Sequence, residues 1–299
     1  MFFTDSYQAM RRGERRLALR YAMISVAIFL LLFVPLGVFL LRRLEHAMTF
    51  HPVAYTGDAQ WALPERAEEV WFETADGVRL HGWFIRATTV DAPSSATVIY
   101  FHGNGGNLSY TGWLGAALSR RGMDALLFDY RGYGRSGGSL SGEESIYADA
   151  DAAYDYVVRT RGVPASRVVL YGQSLGSAAA ADLAARKECG ALILESGLSS
   201  AGEMAGVVFP WLPRFVRGLT RNKFDTARKL ARVRCPVMVA HGARDEIIPA
   251  AQGRALYEAA REPKKLVMVE GAGHNNLVAT GGNAYLDALA QFVRESVGQ

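Results

Sequence analysis

Cysteine is nearly absent from this 299-residue chain, with Cys189 and Cys235 the only two. Neither belongs to a C-x-x-C pair or a Cys/His cluster, which argues against a zinc or dithiol-redox site. Each lies beside an apolar run and is read as a buried thiol, a disulfide being the alternative in an oxidising compartment. Charge is also scarce: the net value is +4, and the excess lies in the first 45 residues. No basic stripe with interleaved aromatics occurs, so nucleic acid is not an expected partner. The Gly-rich stretch at residues 103–106 lacks both the Lys-Ser/Thr of a P-loop and the full G-x-G-x-x-G spacing, which sets nucleotide phosphates aside.

The longest absence of charge is informative in itself. Tyr21 to Leu41 runs twenty-one residues without a charged side chain. About twenty apolar residues suffice for a helix to cross the hydrocarbon core with every backbone polar group bonded internally. A cleaved signal peptide has an apolar region of about 7–15 residues and a small-residue cleavage site. This run is longer and stops at Arg42-Arg43, so a retained anchor is expected. Arg11, Arg12, Arg15, Arg16 and Arg20 precede the run and only those two arginines closely follow it. The positive-inside rule then puts the N-terminus in the cytoplasm and the remainder outside it, in the periplasm if the source is bacterial. The expected organisation is a basic segment (1–20), an anchor (21–41), a connector (42–69) and one globular domain (70–299).

Within that domain, Val70–Thr74 and Val78–Ile85 flank the turn Ala75-Asp76-Gly77 and read as a hairpin. Continuous apolar, β-branched runs follow at Thr97–Phe101, Ala125–Tyr130, Val168–Tyr171, Ala191–Leu194, Val237–Ala240 and Leu266–Val269. Such runs suit parallel strands covered on both faces. Helices are expected over Leu108–Arg120, Leu175–Arg186, Ala250–Ala260 and Ala284–Ser296, and from Ser141 to Tyr156, where Ser141-Gly142-Glu143-Glu144 has capping-box spacing. The alternation predicts an α/β fold, a mostly parallel doubly wound sheet with an antiparallel N-terminal hairpin. Active sites in such sheets lie at the carboxyl ends of the strands.

Two segments match G-x-S-x-G, and context separates them. Gly134-Arg135-Ser136-Gly137-Gly138 lies within a loop and leads into further glycine, which cannot start a helix. Gly172-Gln173-Ser174-Leu175-Gly176 directly follows a strand and continues into an alanine-rich helix. That strand–turn–helix setting aims a serine hydroxyl at a helix N-terminus, so Ser174 is the candidate nucleophile. A serine needs a histidine to take its proton. Only His241 and His274 follow Ser174; His241 closes a strand and suits a structural role, whereas His274 lies in the loop Gly271–Asn275. Asp245, shortly after the Val237–Ala240 strand, is the expected acid, with Glu195 the runner-up and Glu246 expected to be solvated. The Leu175 amide and the Asn104 amide, or alternatively that of Gly105, are the candidate oxyanion donors.

Together His102-Gly103-Asn104, the loop Asp129–Ser136, the Ser174 elbow, Asp245 and His274 resemble the α/β-hydrolase superfamily in order and spacing over about residues 70–295. Within it the chain resembles single-pass membrane α/β-hydrolase-domain proteins and, more distantly, serine aminopeptidase-like hydrolases and protein depalmitoylases. The resemblance implies cleavage of an ester, thioester or amide through an acyl-enzyme, without cofactor or metal. The depalmitoylases carry an N-terminal cysteine cluster, which this chain lacks. The Asp129–Arg135 loop is read as structural. The segment Ser196–Arg234 leaves room for only a short lid, whose apolar stretch Val207–Pro213 is expected to pack over the core; lining an acyl pocket or touching the bilayer, as would suit lipid-like substrates, is the alternative. Two rivals remain: a peptidase, which would need an acidic pocket for the substrate amine that sequence alone does not build from Glu143, Glu195 or Glu203, and a catalytically silent, membrane-tethered binding protein.

Overall fold

The backbone separates into two compact units, residues 1–48 and 49–299. A computed structural model describes residues 2–58, 61–88, 94–218 and 220–298, with side chains described for Leu17 and from Leu19 onward. The side chains of Arg11, Arg12, Arg15 and Arg16 lie outside the described residues. The first unit is a single helix, α1 (Phe2–Thr49), which extends past the apolar run in both directions. Its portion Leu19–Thr49 reaches a mean hydropathy of 2.9, and none of that apolar window is buried. Length and composition suit a membrane anchor or a signal sequence.

The second unit is built on an eight-stranded sheet. Its strands, in chain order, are β2 (Ala67–Glu73), β3 (Arg79–Ile85), β4 (Ala96–Phe101), β6 (Met123–Phe128), β7 (Val168–Gln173), β8 (Ala191–Glu195), β9 (Val237–Gly242) and β10 (Lys264–Val269). Across the sheet the order is β10-β9-β8-β7-β4-β6-β3-β2. The hairpin β2–β3 is antiparallel and joins β6 antiparallel, whereas the other pairs are parallel. A separate two-residue ladder pairs β1 (His51–Pro52) with β5 (Gly105–Gly106) in parallel.

Alternation along each strand explains the continuous apolar runs. Val168 and Leu170 of β7 enter one hydrophobic core, and Val169 and Tyr171 enter the other. The first core packs beneath α3 (Glu143–Asp155), α4 (Gly176–Ala184), α7 (Thr226–Leu230) and α8 (Ala250–Ala259), and the second beneath α2 (Gly112–Ser119) and α9 (Leu277–Ser296). Both strand faces therefore see apolar partners, and a polar residue on either would be buried without water.

Several local expectations are corrected. Leu108–Arg120 is not one helix: a short 3-10 turn, Leu108–Thr111, precedes α2, with the Asn107 side chain accepting from the Ser109 amide. The capping box at Ser141 does not form. Helix α3 starts after Gly142, the Glu143 amide donates to Asn222 Oδ1, and Ser141 turns to Ser145 at 2.7 Å. Tertiary contact supplies the cap that a local pair was expected to supply. Helix α9 starts seven residues before the expected Ala284 and kinks at Gly282, whose φ is 55°.

The short lid consists of α5 (Ala201–Val208) and α6 (Arg214–Arg217). Its stretch Val207–Pro213 does not pack over the core as expected; Val207, Val208, Pro210, Trp211 and Pro213 are exposed. The inner side of α5 makes the core contact instead, through Ala201 and Met204.

Candidate active site

Strand order places the site. From β4 the chain moves outward to β6, then returns to the other flank of β4 as β7. The carboxyl ends of β4 and β7 thus meet at the point where the winding reverses, which is where such sheets open a crevice. Ser174 leaves β7 there, and residues 102–106 leave β4.

Ser174 adopts φ 51°, a left-handed conformation that a non-glycine residue holds only when its surroundings enforce it. The enforcing contacts are visible. A Cβ on Gly172 would lie 2.4 Å from the Gly176 carbonyl oxygen, and one on Gly176 would lie 2.0 Å from the carbonyl oxygen of Phe101. Only glycine at both positions lets the turn close. The Ser174 amide is anchored to the Glu195 carbonyl at 2.8 Å, and α4 begins two residues later.

Ser174 Oγ lies 2.9 Å from His274 Nε2, and His274 Nδ1 lies 2.8 Å from Asp245 Oδ2. With Nδ1–H donating to the carboxylate, Nε2 is the acceptor for the serine hydroxyl; these partners assign the tautomer. Asp245 Oδ1 accepts the amides of Ile247 and Ile248 at 2.9 and 2.8 Å. Burial alone would raise this carboxyl, but hydrogen bonds from His241, His274 and the Ile248 amide outweigh it and hold it well below the usual carboxylate range. The acid is therefore ionised beside a histidine that can take a proton.

The loop after β4 is held by its carbonyls. Tyr130 Oη donates to the His102 carbonyl at 3.2 Å, His102 Nδ1 lies 2.8 Å from the Gly103 carbonyl, and Tyr133 Oη donates to the Asn104 carbonyl at 2.8 Å. The amide N–H across each planar trans peptide points the opposite way. Gly103 lies against the nucleophile, where a Cβ would sit 3.4 Å from Ser174 Cβ. On the other side of the elbow, Leu175 immediately precedes α4, whose Ser177 and Ala178 amides turn back to the Ser174 and Leu175 carbonyls at 3.0 Å.

Comparison with known proteins agrees with this fold. Residues 92–224 match the family model described as serine aminopeptidase, S33. The chain is 38% identical over 255 residues to the uncharacterized protein Rv2307c of Mycobacterium tuberculosis, covering 85% of this chain and 88% of that one. It is 38% identical over 243 residues to alpha/beta hydrolase domain-containing protein 17C of Mus musculus, covering 79% of this chain and 71% of the relative. The chain belongs to the α/β-hydrolase superfamily. An esterase of Pyrococcus furiosus shares the fold at 20% identity, with a TM-score of 0.67 over 84% of this chain and 98% of that one.

The other residues singled out in this hydrolase fall into supporting positions. Ser136 of the second G-x-S-x-G segment donates to the Asp129 carbonyl at 2.7 Å and accepts the His81 amide at 2.9 Å, far from the elbow's chemistry. Arg131 of the same loop spans Asp149 and Asp76 through bonds of 2.7 to 3.0 Å. His241 is buried, with Nε2 2.8 Å from the Ile248 carbonyl and 3.1 Å from Asp245. Glu195, the runner-up acid, faces Tyr171 and Tyr285 rather than His274, and burial pushes its carboxyl up against the pull of those two hydroxyls. Glu246 is exposed, as expected, yet it also accepts the His274 amide at 3.3 Å.

Sequence reasoning missed the connector. The His51 amide donates to the Asn104 carbonyl at 3.0 Å, and Asn107 Nδ2 donates to the Val53 carbonyl at 3.2 Å. Residues directly after α1 thus brace the loop that faces Ser174. No periodicity marks so short a ladder, because β1 and β5 are two residues each. A cavity of about 390 Å³, lined by Phe84, Arg86, Asp124, Tyr156, Thr160, Arg161 and Val163, lies toward the opposite ends of the parallel strands and contains none of the site residues.

Proposed function

We propose that this hydrolase is a membrane-anchored serine hydrolase that cleaves carboxylic ester or thioester substrates through an acyl-enzyme. The observation that carries the reading is the unbroken relay from Ser174 Oγ through His274 to Asp245, with bonds of 2.9 and 2.8 Å. In this scheme Ser174 Oγ attacks the substrate carbonyl carbon while His274 Nε2 takes the hydroxyl proton. Asp245 stabilises the imidazolium and holds its tautomer. The Leu175 and Asn104 amides donate to the oxyanion, an effect worth about 10²–10³ in rate per donor. His274 then protonates the departing alcohol or thiol, leaving an ester on Ser174. Water, deprotonated by the same nitrogen, attacks that ester and releases the acid. No cofactor enters the cycle.

Residues 21–41 act as a retained anchor with the N-terminus in the cytoplasm and the catalytic unit on the other side, a reading supported by the arginines at 11–20 and the length of the apolar run. The decisive experiment is labelling by an active-site-directed fluorophosphonate, with wild type beside Ser174→Ala, followed by a p-nitrophenyl ester chain-length series. Wild type should label, and Ser174→Ala should not. An unlabelled but folded wild type would replace the enzyme reading with that of a tethered binding protein.

A second reading, amide cleavage after the manner of a serine aminopeptidase, is favoured by the description of the matched family. It needs a carboxylate for the substrate amine. Glu143 already accepts the Lys223 and Phe224 amides, and Glu195 is buried beneath two tyrosine hydroxyls. Hydrolysis of aminoacyl-arylamides without hydrolysis of acyl esters would reverse this preference.

A further inference from the structure

The lid hairpin has a composition that the catalytic scheme does not use. Trp211 and Phe215 are 76% and 77% exposed, and Val207 and Val208 are 42% and 49% exposed. Four large apolar side chains thus face solvent within nine residues. Isolated exposed apolar residues are ordinary, but a cluster calls for a partner.

The cluster is built rather than loose. Arg217 Nε donates to the Leu212 carbonyl at 2.7 Å and its Nη2 to the Pro210 carbonyl at 2.9 Å, fastening α6 under the turn. The rings of Phe209 and Trp211 meet edge-on with centroids 6.2 Å apart. At the other end, Ser200 caps α5 through the Glu203 amide at 3.1 Å.

Charge identifies the partner. Residues 46–299 contain 26 Lys/Arg and 26 Asp/Glu, whereas residues 201–223 contain Arg214, Arg217, Arg221 and Lys223 against Glu203 alone. A positive hairpin tipped by tryptophan and phenylalanine, on a unit that is neutral as a whole, fits the boundary between anionic headgroups and acyl chains. Indole rings favour that boundary, and basic side chains beside it are drawn to the negative surface potential.

We propose that the α5–α6 hairpin docks on an anionic lipid bilayer, with Trp211 and Phe215 inserted at the acyl boundary and Arg214 at the headgroups. This goes beyond the proposed chemistry, since it concerns a surface outside the Ser174 relay. It gives the short lid a role: a hydrolase seated in this way would meet substrates whose acyl chains lie in the membrane.

The test uses the full chain in proteoliposomes containing phosphatidylglycerol and phosphatidylcholine brominated on the acyl chain. All five tryptophans lie after residue 60, so the anchor helix contributes no signal. Brominated lipid should quench wild-type emission more than that of Trp211→Phe. The difference should shrink for Arg214→Glu and when phosphatidylglycerol is omitted. Equal quenching of wild type and Trp211→Phe, or no quenching, overturns the proposal. A Trp211-dependent difference that ignores both Arg214→Glu and the anionic lipid overturns its electrostatic half. Trp211 emission that follows protein density instead of brominated lipid assigns the surface to a second copy of the chain, and also overturns it. None of these readouts needs turnover, so failure here and failure of the Ser174 reading are distinguishable.

Discussion

At Asp245 two roles of one carboxylate can be separated by pH. Its hydrogen bonds hold it below the range of an unfolded aspartate, about 3.9, so its ionised form stabilises the fold above that value. That contribution is lost as pH falls through the folded-state value. Asp245→Asn should therefore show a shallower acid decline of the thermal midpoint than wild type between pH 5 and pH 2, measured in detergent. Its kcat on the best p-nitrophenyl ester should fall by roughly 10⁴, the scale set by the loss of a triad acid. Gly103→Ala separates activity from stability differently. The added methyl would meet Ser174 Cβ at 3.4 Å, an ordinary contact, at a glycine without a positive φ. Its unfolding free energy should stay within about 0.5 kcal/mol of wild type, the range typical of benign substitutions. Because the methyl intrudes where the substrate carbonyl must approach, kcat/KM should drop by about 10²-fold, the scale of a displaced reacting group. Unchanged kinetics would place the substrate elsewhere.

The loop after β4 works as an element because its carbonyls are held by partners from other segments. Tyr133 bonds Asn104 from one side and the His51 amide bonds the same carbonyl from the other. Tyr133 is buried, and burial pushes its phenol well above the ordinary range, so its hydroxyl is a donor at any working pH. Removing that oxygen with Tyr133→Phe deletes one bond and leaves the ring contacts with His102 and Tyr130 in place. Stability should fall by about 1 kcal/mol, the usual cost of a single hydrogen bond. The kinetic consequence should appear in kcat rather than KM, because a relaxed loop weakens donors that act mainly on the transition state. A drop confined to KM would mean that the loop positions substrate only. The elbow offers no such freedom: at Gly176 any side chain would collide with the Phe101 backbone.

For the whole molecule, the two cysteines offer a test of the proposed orientation. Cys189 and Cys235 precede β8 and β9, at the strand ends opposite the active site, with their sulfurs hydrogen-bonded at 3.1 Å and not joined as a disulfide. The hydrogen bond to Cys235, with burial second, pushes the Cys189 thiol well above its ordinary range, which makes it a poor nucleophile in the native state. If the catalytic unit lies outside the cytoplasm, as proposed, protein isolated with its thiols trapped should carry a Cys189–Cys235 disulfide, seen as a loss of two hydrogens by mass. Two alkylatable thiols after unfolding would argue for the reverse orientation. Closing the 46-residue separation should stabilise the oxidised form by at most about 4 kcal/mol by chain entropy. Reduction should lower the thermal midpoint accordingly.

Much of this was determined by sequence alone, wherever the physical constraint is local. Twenty-one residues without charge specify a membrane-compatible helix, alternation with both faces apolar specifies buried strands, and G-x-S-x-G between a strand and an alanine-rich stretch specifies an elbow. The choice of Asp245 and His274 after Ser174 rested instead on the chain order of triads in this fold, serine, then acid, then histidine. What needed the tertiary structure was every interaction whose partners are distant in the chain. The connector at His51–Val53 bonds a loop some fifty residues later, and Asn222 caps a helix that begins at Glu143. Glu195 and Asp245 both end or follow a strand near the site, and only the packing of Tyr171 and Tyr285 around Glu195 turned that carboxyl away from His274. The stretch Val207–Pro213 was as apolar as a core segment, and its exposure followed from α5 turning Met204, not Val207, toward the sheet. Periodicity and composition state what a residue can bury; the fold decides which side of it meets a partner.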